Sequence, residues 1–155
     1  MKYSEFAEKI NDIYKAKFPR STISIKKWHC FTNSILISLY LAGNQKECTF
    51  GYWDNDMMQI RFDVTLPGRF NFEIDELPEK ISMENVMNVY KIEPENKYLA
   101  FGGRKITYRR ADGTPEKIIE AFKKYVDRLY KSIIDDMAAG KIHKTYIELV
   151  KEKIA

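Results

Sequence analysis

Two histidines and two cysteines carry the most reactive side chains in this chain. His29 and Cys30 are neighbours, whereas Cys48 and His143 lie far from them in the sequence. A structural zinc ion takes four ligands, commonly in C-x-x-C and H-x-x-x-H pairs, and neither pattern occurs here. Neighbours in a strand point to opposite faces, so His29 cannot activate Cys30 if one strand contains both. We therefore predict no metal site, and we interpret both cysteines as free thiols.

Three aspartates, Asp54, Asp56 and Asp63, are close enough in sequence to suggest a site for magnesium or calcium. The twelve-residue calcium loop needs glycine at its sixth position and glutamate at its twelfth. Counting from Asp54, these positions contain Gln59 and Thr65. The motif is therefore absent, and carboxylates that flank a hairpin turn explain Asp54 and Asp56 better.

The remaining catalytic patterns are also missing. The glycine pair before Arg104 and Lys105 resembles a phosphate loop, but strand-like residues follow it and both glycine fingerprints are absent. The chain contains no G-x-S-x-G, H-E-x-x-H or kinase-like set, and two histidines leave few general bases. The sequence predicts a protein that is not an enzyme and has no cofactor, with carboxylate catalysis left open as a third interpretation.

Eight basic residues near the C-terminal end form the first candidate binding surface. Four recur at helical spacing, about 100° per residue, and so form one exposed stripe: Lys117, Lys124, Arg128 and Lys131. Four more come from the preceding hairpin: Arg104, Lys105, Arg109 and Arg110. A ridge of this kind can bind nucleic-acid phosphates. Glu120 and Asp127, four residues before Lys124 and Lys131, instead suggest ordinary helix ion pairs.

The second candidate surface is an acidic hairpin with aromatic residues. The predicted turn at 54–56 is preceded by two aromatic residues, and the predicted protein-binding residues are Tyr52, Trp53, Asp54 and Asp56. Aromatic residues and methionine are enriched in protein interfaces, where aromatic anchors contribute much of the binding energy. Core packing competes with this interpretation, but alternation directs about half of the strand side chains outward.

Helical periodicity appears at both ends of the chain. Ser4 can cap a first helix that ends at Pro19, with an apolar stripe of Phe6, Ile10, Ile13, Tyr14 and Phe18. A long helix begins after Thr114 as its N-cap, and Gly140 is placed to end it. Its predicted apolar stripe is Ile118, Ile119, Phe122, Val126, Leu129, Ile133 and Met137. A last helix at 142–154 packs either on its own domain or on a second copy, which would form a homodimer.

Between the helices, apolar residues alternate with period two. This pattern predicts strands near 23–25, 35–41, 47–53, 57–64, 97–101 and 105–109. Residues 70–74 suggest another strand, residues 82–90 fit either a short helix or a strand, and residues 112–113 read as a turn. This order predicts an α+β fold: an antiparallel sheet of about five to six strands, with an N-terminal helix and two C-terminal helices packed mainly on one face.

Length and charge limit the class of protein. The 155 residues fit one domain, 1–155, and its charge is uneven. Residues 1–46 contain 8 basic and 3 acidic side chains, residues 47–100 contain 5 and 11, and residues 101–155 contain 13 and 8. The longest apolar run is far shorter than the about 20 residues that span a bilayer, and the N-terminus lacks the apolar core of a secretory signal. We predict a soluble cytoplasmic protein that does not act at a membrane.

Two stretches resemble small accessory proteins encoded by phages and integrated mobile elements of Gram-positive bacteria. They are LYLAGNQKECTFGYWDNDMMQIRFDV and GGRKITYRRADGTPEKIIEAFKKYVDRL. Some proteins of this kind are anti-CRISPR inhibitors that bind a Cas nuclease and block its nucleic-acid path or domain movement. The resemblance implies stoichiometric inhibition in the cytoplasm of a bacterial host, with no chemistry of its own. It transfers no functional residue to this chain.

We therefore predict a non-enzymatic inhibitor that binds a host protein or nucleoprotein complex. The acidic aromatic hairpin is its predicted binding surface, together with the basic ridge. The alternative is an accessory protein that binds nucleic acid through the ridge from hairpin to helix. These interpretations differ in the salt dependence of binding, since phosphate contacts weaken steeply as salt is added.

Overall fold

The computed structural model describes residues 1–19, 21–29, 33–40, 58–67, 73, 75–90 and 110–138. Their order is α1 Tyr3–Lys17, β1 Thr22–His29, β2 Asn33–Tyr40, β3 Met58–Thr65, β4 Ile81–Tyr90, β5 Arg110–Gly113 and α2 Pro115–Ala138. The predicted α+β class is confirmed. Several predicted features lie outside the described residues: the last helix, the hairpin around the glycine pair, the strand at 47–53, the turn at 54–56, and the strand at 70–74 except Glu73.

The five strands form one antiparallel sheet whose spatial order follows the chain, β1-β2-β3-β4-β5. Its register is continuous through the centre, where Ile25 pairs with Ile37 and Ile37 pairs with Phe62. The register shifts once, between Arg61 and Phe62, where β4 has an extra residue. Residues 82–90, which the sequence left open between helix and strand, are strand because they pair with β3.

The hydrophobic core lies between one face of this sheet and the two helices. The strands contribute Ile35, Ile37, Leu39, Ile60, Phe62, Val64, Ile81 and Met83, all buried. The helices contribute Phe6, Ile10, Tyr14, Ile118, Phe122, Tyr125, Val126 and Leu129. The predicted stripe of α2 omitted Tyr125, whose ring packs edge-on against Phe62 with centroids 4.9 Å apart. Both described helices therefore pack on the same face, as predicted.

Helix α1 begins differently from the sequence prediction. Ser4 was expected to cap it, but the helix begins at Tyr3, and the preceding residue Lys2 makes no side-chain cap hydrogen bond. The chain before α1 instead pairs with a distant segment, where the Tyr3 N–H donates to the Asp75 carbonyl at 2.8 Å. Ser4 Oγ donates to Asp75 Oδ2 at 3.1 Å. A tertiary contact thus replaces the local cap, and the prediction for Ser4 was wrong.

Buried hydrogen bonds around Ser21 join the end of α1 to the sheet. Ser21 is fully buried, and its Oγ donates to the Tyr40 carbonyl at 2.6 Å. The Tyr14 hydroxyl therefore donates to Ser21 Oγ, while Lys15 Nζ donates to the Ser21 carbonyl. Burial raises the pKa of the Tyr14 hydroxyl far above its ordinary value, so the phenol stays protonated. The hydroxyl that links α1 to Ser21 thus keeps its proton even in alkaline solution, where an exposed tyrosine ionises.

Helix α2 begins as predicted, because the Lys117 N–H donates to Thr114 Oγ1 at 3.3 Å. The preceding residues differ: Asp112 and Gly113, read as a turn, belong to β5 and pair with the start of β4. Gly113 has φ +148°, and an added Cβ would lie 2.9 Å from Lys117 Cδ. Glycine at this position lets the strand pass directly into the helix.

Candidate functional site

The sheet has a second face, directed away from α1 and α2, which we call the open face. Directly paired residues in an antiparallel ladder point to the same side, so the buried pair Ile37 and Phe62 identifies the helix side. Their neighbours along each strand belong to the open face. Its larger side chains include Lys26, Trp28, Leu36, Tyr40, Arg61, Asp63, Glu84, Arg110 and Asp112, and each is exposed or half-buried.

The register aligns five open-face residues in one row across all five strands. Lys26 pairs with Leu36, Leu36 with Asp63, Asp63 with Glu84, and Glu84 with Arg110. Two cations therefore stand at the ends of the row, and two adjacent carboxylates stand inside it. Like charges directly opposite each other repel, and the neighbouring cations Arg61, beside Asp63, and Arg110, opposite Glu84, offset that repulsion.

Two ion pairs lie within single strands of the open face. Arg61 Nε is 3.3 Å from Asp63 Oδ1, and Arg110 Nε is 2.9 Å from Asp112 Oδ1. Such solvent-accessible pairs stabilise a fold by only about 0–1 kcal/mol, so their main effect is to orient the side chains. The six charged residues of the open face balance, with Lys26, Arg61 and Arg110 against Asp63, Glu84 and Asp112. A partner therefore meets groups of both signs, and the formal charges of these six residues sum to zero.

Trp28 is the largest apolar side chain exposed on this face. It is 50% exposed, and its cross-strand partner is Ser34, which is too small to cover an indole. Val86, at the β4 bulge, is 45% exposed and is the other large apolar residue exposed in the described part of the chain. An indole offers a broad apolar ring and one N–H donor, a combination that is enriched in protein interfaces.

A cavity of about 450 Å³ opens beside the open face, where β3, β4 and β5 meet. It is lined by Thr65, Pro67, Lys80, Ile81, Ser82, Arg110, Asp112 and Gly113. Ser82 and Asp112 are direct cross-strand partners, but Asp112 already accepts a hydrogen bond from Arg110. Since no histidine is among these described lining residues, a serine nucleophile with an imidazole base cannot form from them.

The four basic residues predicted on the long helix are all exposed on α2: Lys117, Lys124, Arg128 and Lys131. Acidic residues offset them, because 115–138 contains five basic and five acidic side chains. The ion pair expected between Asp127 and Lys131 is replaced by another, in which Asp127 Oδ1 lies 3.9 Å from Lys17 Nζ of α1. The helix therefore presents a basic stripe while its overall charge is neutral.

Arg110 is the hairpin residue of the predicted ridge that the structure describes. This residue pairs with Glu84 on the open face, whereas α2 packs on the opposite side of the sheet. Alternation along β5 therefore directs the Arg110 side chain away from α2, and the continuity of the ridge from hairpin to helix stays a prediction. The other predicted hairpin residues, Arg104, Lys105 and Arg109, lie outside the described residues.

The predicted protein-binding residues, Tyr52, Trp53, Asp54 and Asp56, also lie outside the described residues, as do Cys30, Cys48 and His143. The structure does describe the sheet end to which these segments connect. Segment 41–57 leaves β2 at Tyr40 and enters β3 at Met58, and Met58 pairs with Tyr90, where segment 91–109 begins. Three of the four attachment points of the two segments thus lie together at one end of the sheet.

Sequence reasoning missed Trp28 and the open face. A signal was available, because Trp28 lies an even number of residues from Ser24 and Lys26 and an odd number from Ile23 and Ile25. Within one strand, this spacing directs the indole to the side opposite the two isoleucines. The sequence alone did not show which of the two alternating sets of side chains the helices cover.

Among the described residues, no three histidine, cysteine or acidic side chains cluster as metal ligands. No helix within the described ranges is both long and apolar enough to cross a membrane. No protein-family model matches the chain, and neither a curated protein nor a solved structure shows significant similarity to it.

Proposed function

We propose that the protein is a non-enzymatic binding protein that recognises a protein or nucleoprotein complex through the open face. The observation that supports this proposal is the half-exposed Trp28 on a face with three basic and three acidic side chains. A nucleic acid would favour an excess of positive charge, whereas protein interfaces combine aromatic anchors with mixed charge. The open face has the second composition.

The resemblance of residues 39–64 and 102–129 to phage and mobile-element accessory proteins supports an inhibitory role. It makes a Cas nuclease with its guide RNA the first complex to test. An inhibitor that occupies a surface needs no nucleophile or metal of its own. The side chains of the open face, which offer ion pairs and one indole, suit that role better than they suit catalysis.

Reversing one open-face charge tests the proposal. We expect Glu84→Lys to weaken binding at least about tenfold, or about 1.4 kcal/mol, because it breaks the charge row beside Asp63. Binding to the Cas nuclease complex, and to complexes captured from a bacterial host lysate, would be measured by calorimetry. Glu120→Lys makes the same charge change on exposed α2 and should leave affinity unchanged. Equal losses in both variants would argue against the open face.

The exposed basic stripe of α2 favours a second candidate function, contact with nucleic acid. Lys124, Arg128 and Lys131 lie within two turns of the helix, and all three are exposed. Phosphates spaced along a strand could neutralise several of them together. The balanced charge of α2 as a whole makes this function secondary to protein recognition.

Salt dependence tests the second candidate. The double variant Lys124→Gln, Lys131→Gln removes two cations. We expect the negative slope of log K against log salt for duplex DNA to become shallower by about 2, since each phosphate contact contributes about 0.9 to its magnitude. Mobility shifts with DNA and RNA between low and physiological salt would measure it. Lys26→Gln, on the open face, is the matched control and should keep the wild-type slope. If the wild type produces no shift at low salt, this function is excluded.

A further inference from the structure

Strand β1 forms one border of the described sheet. It pairs with β2 on one side, and no described strand pairs with its other side. Its eight residues, Thr22–His29, therefore present a row of outward backbone N–H and C=O groups. Such a row is a template on which another extended chain can add as the next strand.

Within the described residues, this edge shows few of the features that natural proteins use to prevent strand addition. Edge strands are commonly kept short, interrupted by proline or bulges, or protected by charged residues. The register of β1 against β2 is continuous from Thr22 to His29, and the strand contains no proline. Only charge remains, in the form of the exposed residues Lys26 and Lys27.

The two lysines select the partner. Lys26 belongs to the open face, and Lys27 lies on the helix side, where its Nζ is 4.6 Å from the centre of the Tyr3 ring. A cation therefore stands on each side of the edge, and β1 contains no acidic residue. Two copies of β1 would bring four lysines to one seam, and like charges opposed across strands are destabilising. An acidic strand is attracted instead.

We propose that β1 is a strand-addition site for an extended acidic segment of a partner protein. The segment adds beside Thr22–His29, its carboxylates contact Lys26 and Lys27, and one of its apolar side chains packs against Trp28. This inference rests on the proposed function and deepens it, because it names the form and charge of the partner. Glu84 lies three strands away from β1. A variant at Glu84 therefore tests the open face without changing the β1 edge, and the two proposals can be contradicted separately.

The experiment uses the full chain and a synthetic eight-residue peptide, Thr-Val-Thr-Val-Glu-Glu-Val-Thr. Its two adjacent glutamates point to opposite faces, as Lys26 and Lys27 do, and the valine before them lies on the same face as Trp28. We expect binding by fluorescence anisotropy, together with slower amide hydrogen exchange along β1, because strand addition protects its outward N–H groups. A matched peptide with N-methyl groups on four consecutive amides keeps the charge but cannot form the ladder. It should bind at least tenfold more weakly and leave exchange in β1 unchanged.

Matched variants separate the edge from general charge attraction. Lys26→Glu should weaken binding of the glutamate peptide at least tenfold, whereas Lys131→Glu on α2 should leave it unchanged. Equal affinity for the N-methylated peptide, or equal effects of the two variants, would overturn the proposal. A dimer of the chain in sedimentation velocity whose formation protects β1 would assign the edge to a second copy and would also overturn it.

Discussion

Replacing Phe62 with alanine is expected to lower the free energy of unfolding by about 3–5 kcal/mol, the range for deleting a buried aromatic ring. Phe62 is fully buried in β3, at the centre of the sheet. Its ring meets the rings of Phe122 and Tyr125 edge-on, with centroid distances of 5.7 and 4.9 Å. The substitution therefore removes the side chain that joins the central strand to α2 and leaves a cavity between them.

Urea denaturation followed by circular dichroism would measure the loss. Thr65→Ala is the matched control, because Thr65 is an exposed residue of the same strand. Its effect should stay within about 0.5 kcal/mol, as for most surface substitutions. A loss below about 1.5 kcal/mol for Phe62→Ala would mean that α2 does not pack on β3 as the structure shows.

Replacing Trp28 with alanine is expected to weaken partner binding by at least about 2 kcal/mol, or roughly thirtyfold. The indole is half-exposed in the free protein, so its truncation removes apolar area that a partner would bury. Stability should change little, because Trp28 is not part of the core. The Phe62 and Trp28 variants thus separate folding from recognition.

Val86→Ala provides the control for Trp28→Ala, because Val86 is exposed to a similar degree but lies at the β4 bulge. Calorimetry with the captured complex or with the Cas nuclease complex would compare the two variants. If both substitutions weaken binding equally, the loss reflects exposed apolar area in general. If Trp28→Ala binds like the wild type, Trp28 is not an anchor and the proposed surface is wrong.

The open face and the β1 edge share one structural origin. Both described helices pack on the same side of the sheet, so neither of them covers its other side, which carries mostly polar side chains together with Trp28 and Leu36. The chain also places β1 at the border, directly after α1, with β2 as its described neighbour. Trp28 therefore stands where a face and an edge meet. A partner strand beside β1 and a partner surface above the open face would both contact it.

Local sequence signals predicted the elements whose determinants are local. The cap by Thr114 and the apolar repeat that follows it defined α2, because both act within a few residues. Ser4 had a similar signal and was predicted wrongly, since pairing with Asp75, a distant residue, satisfied the helix start. Residues 82–90 were undecided from sequence, because a strand in that segment depends on its pairing with β3.

By itself, the sequence determined the α+β class, the apolar stripes of both described helices except Tyr125, and the alternation within most of the strands. These features follow from the periodicity of apolar residues, which is a property of each segment by itself. The tertiary structure decided which of the two alternating sets of side chains in each strand the helices cover. That choice placed Arg110 and Trp28 on the open face and Lys27 beside Tyr3. The physical reason is that alternation defines two faces of a strand, but only packing against α1 and α2 determines which one is buried.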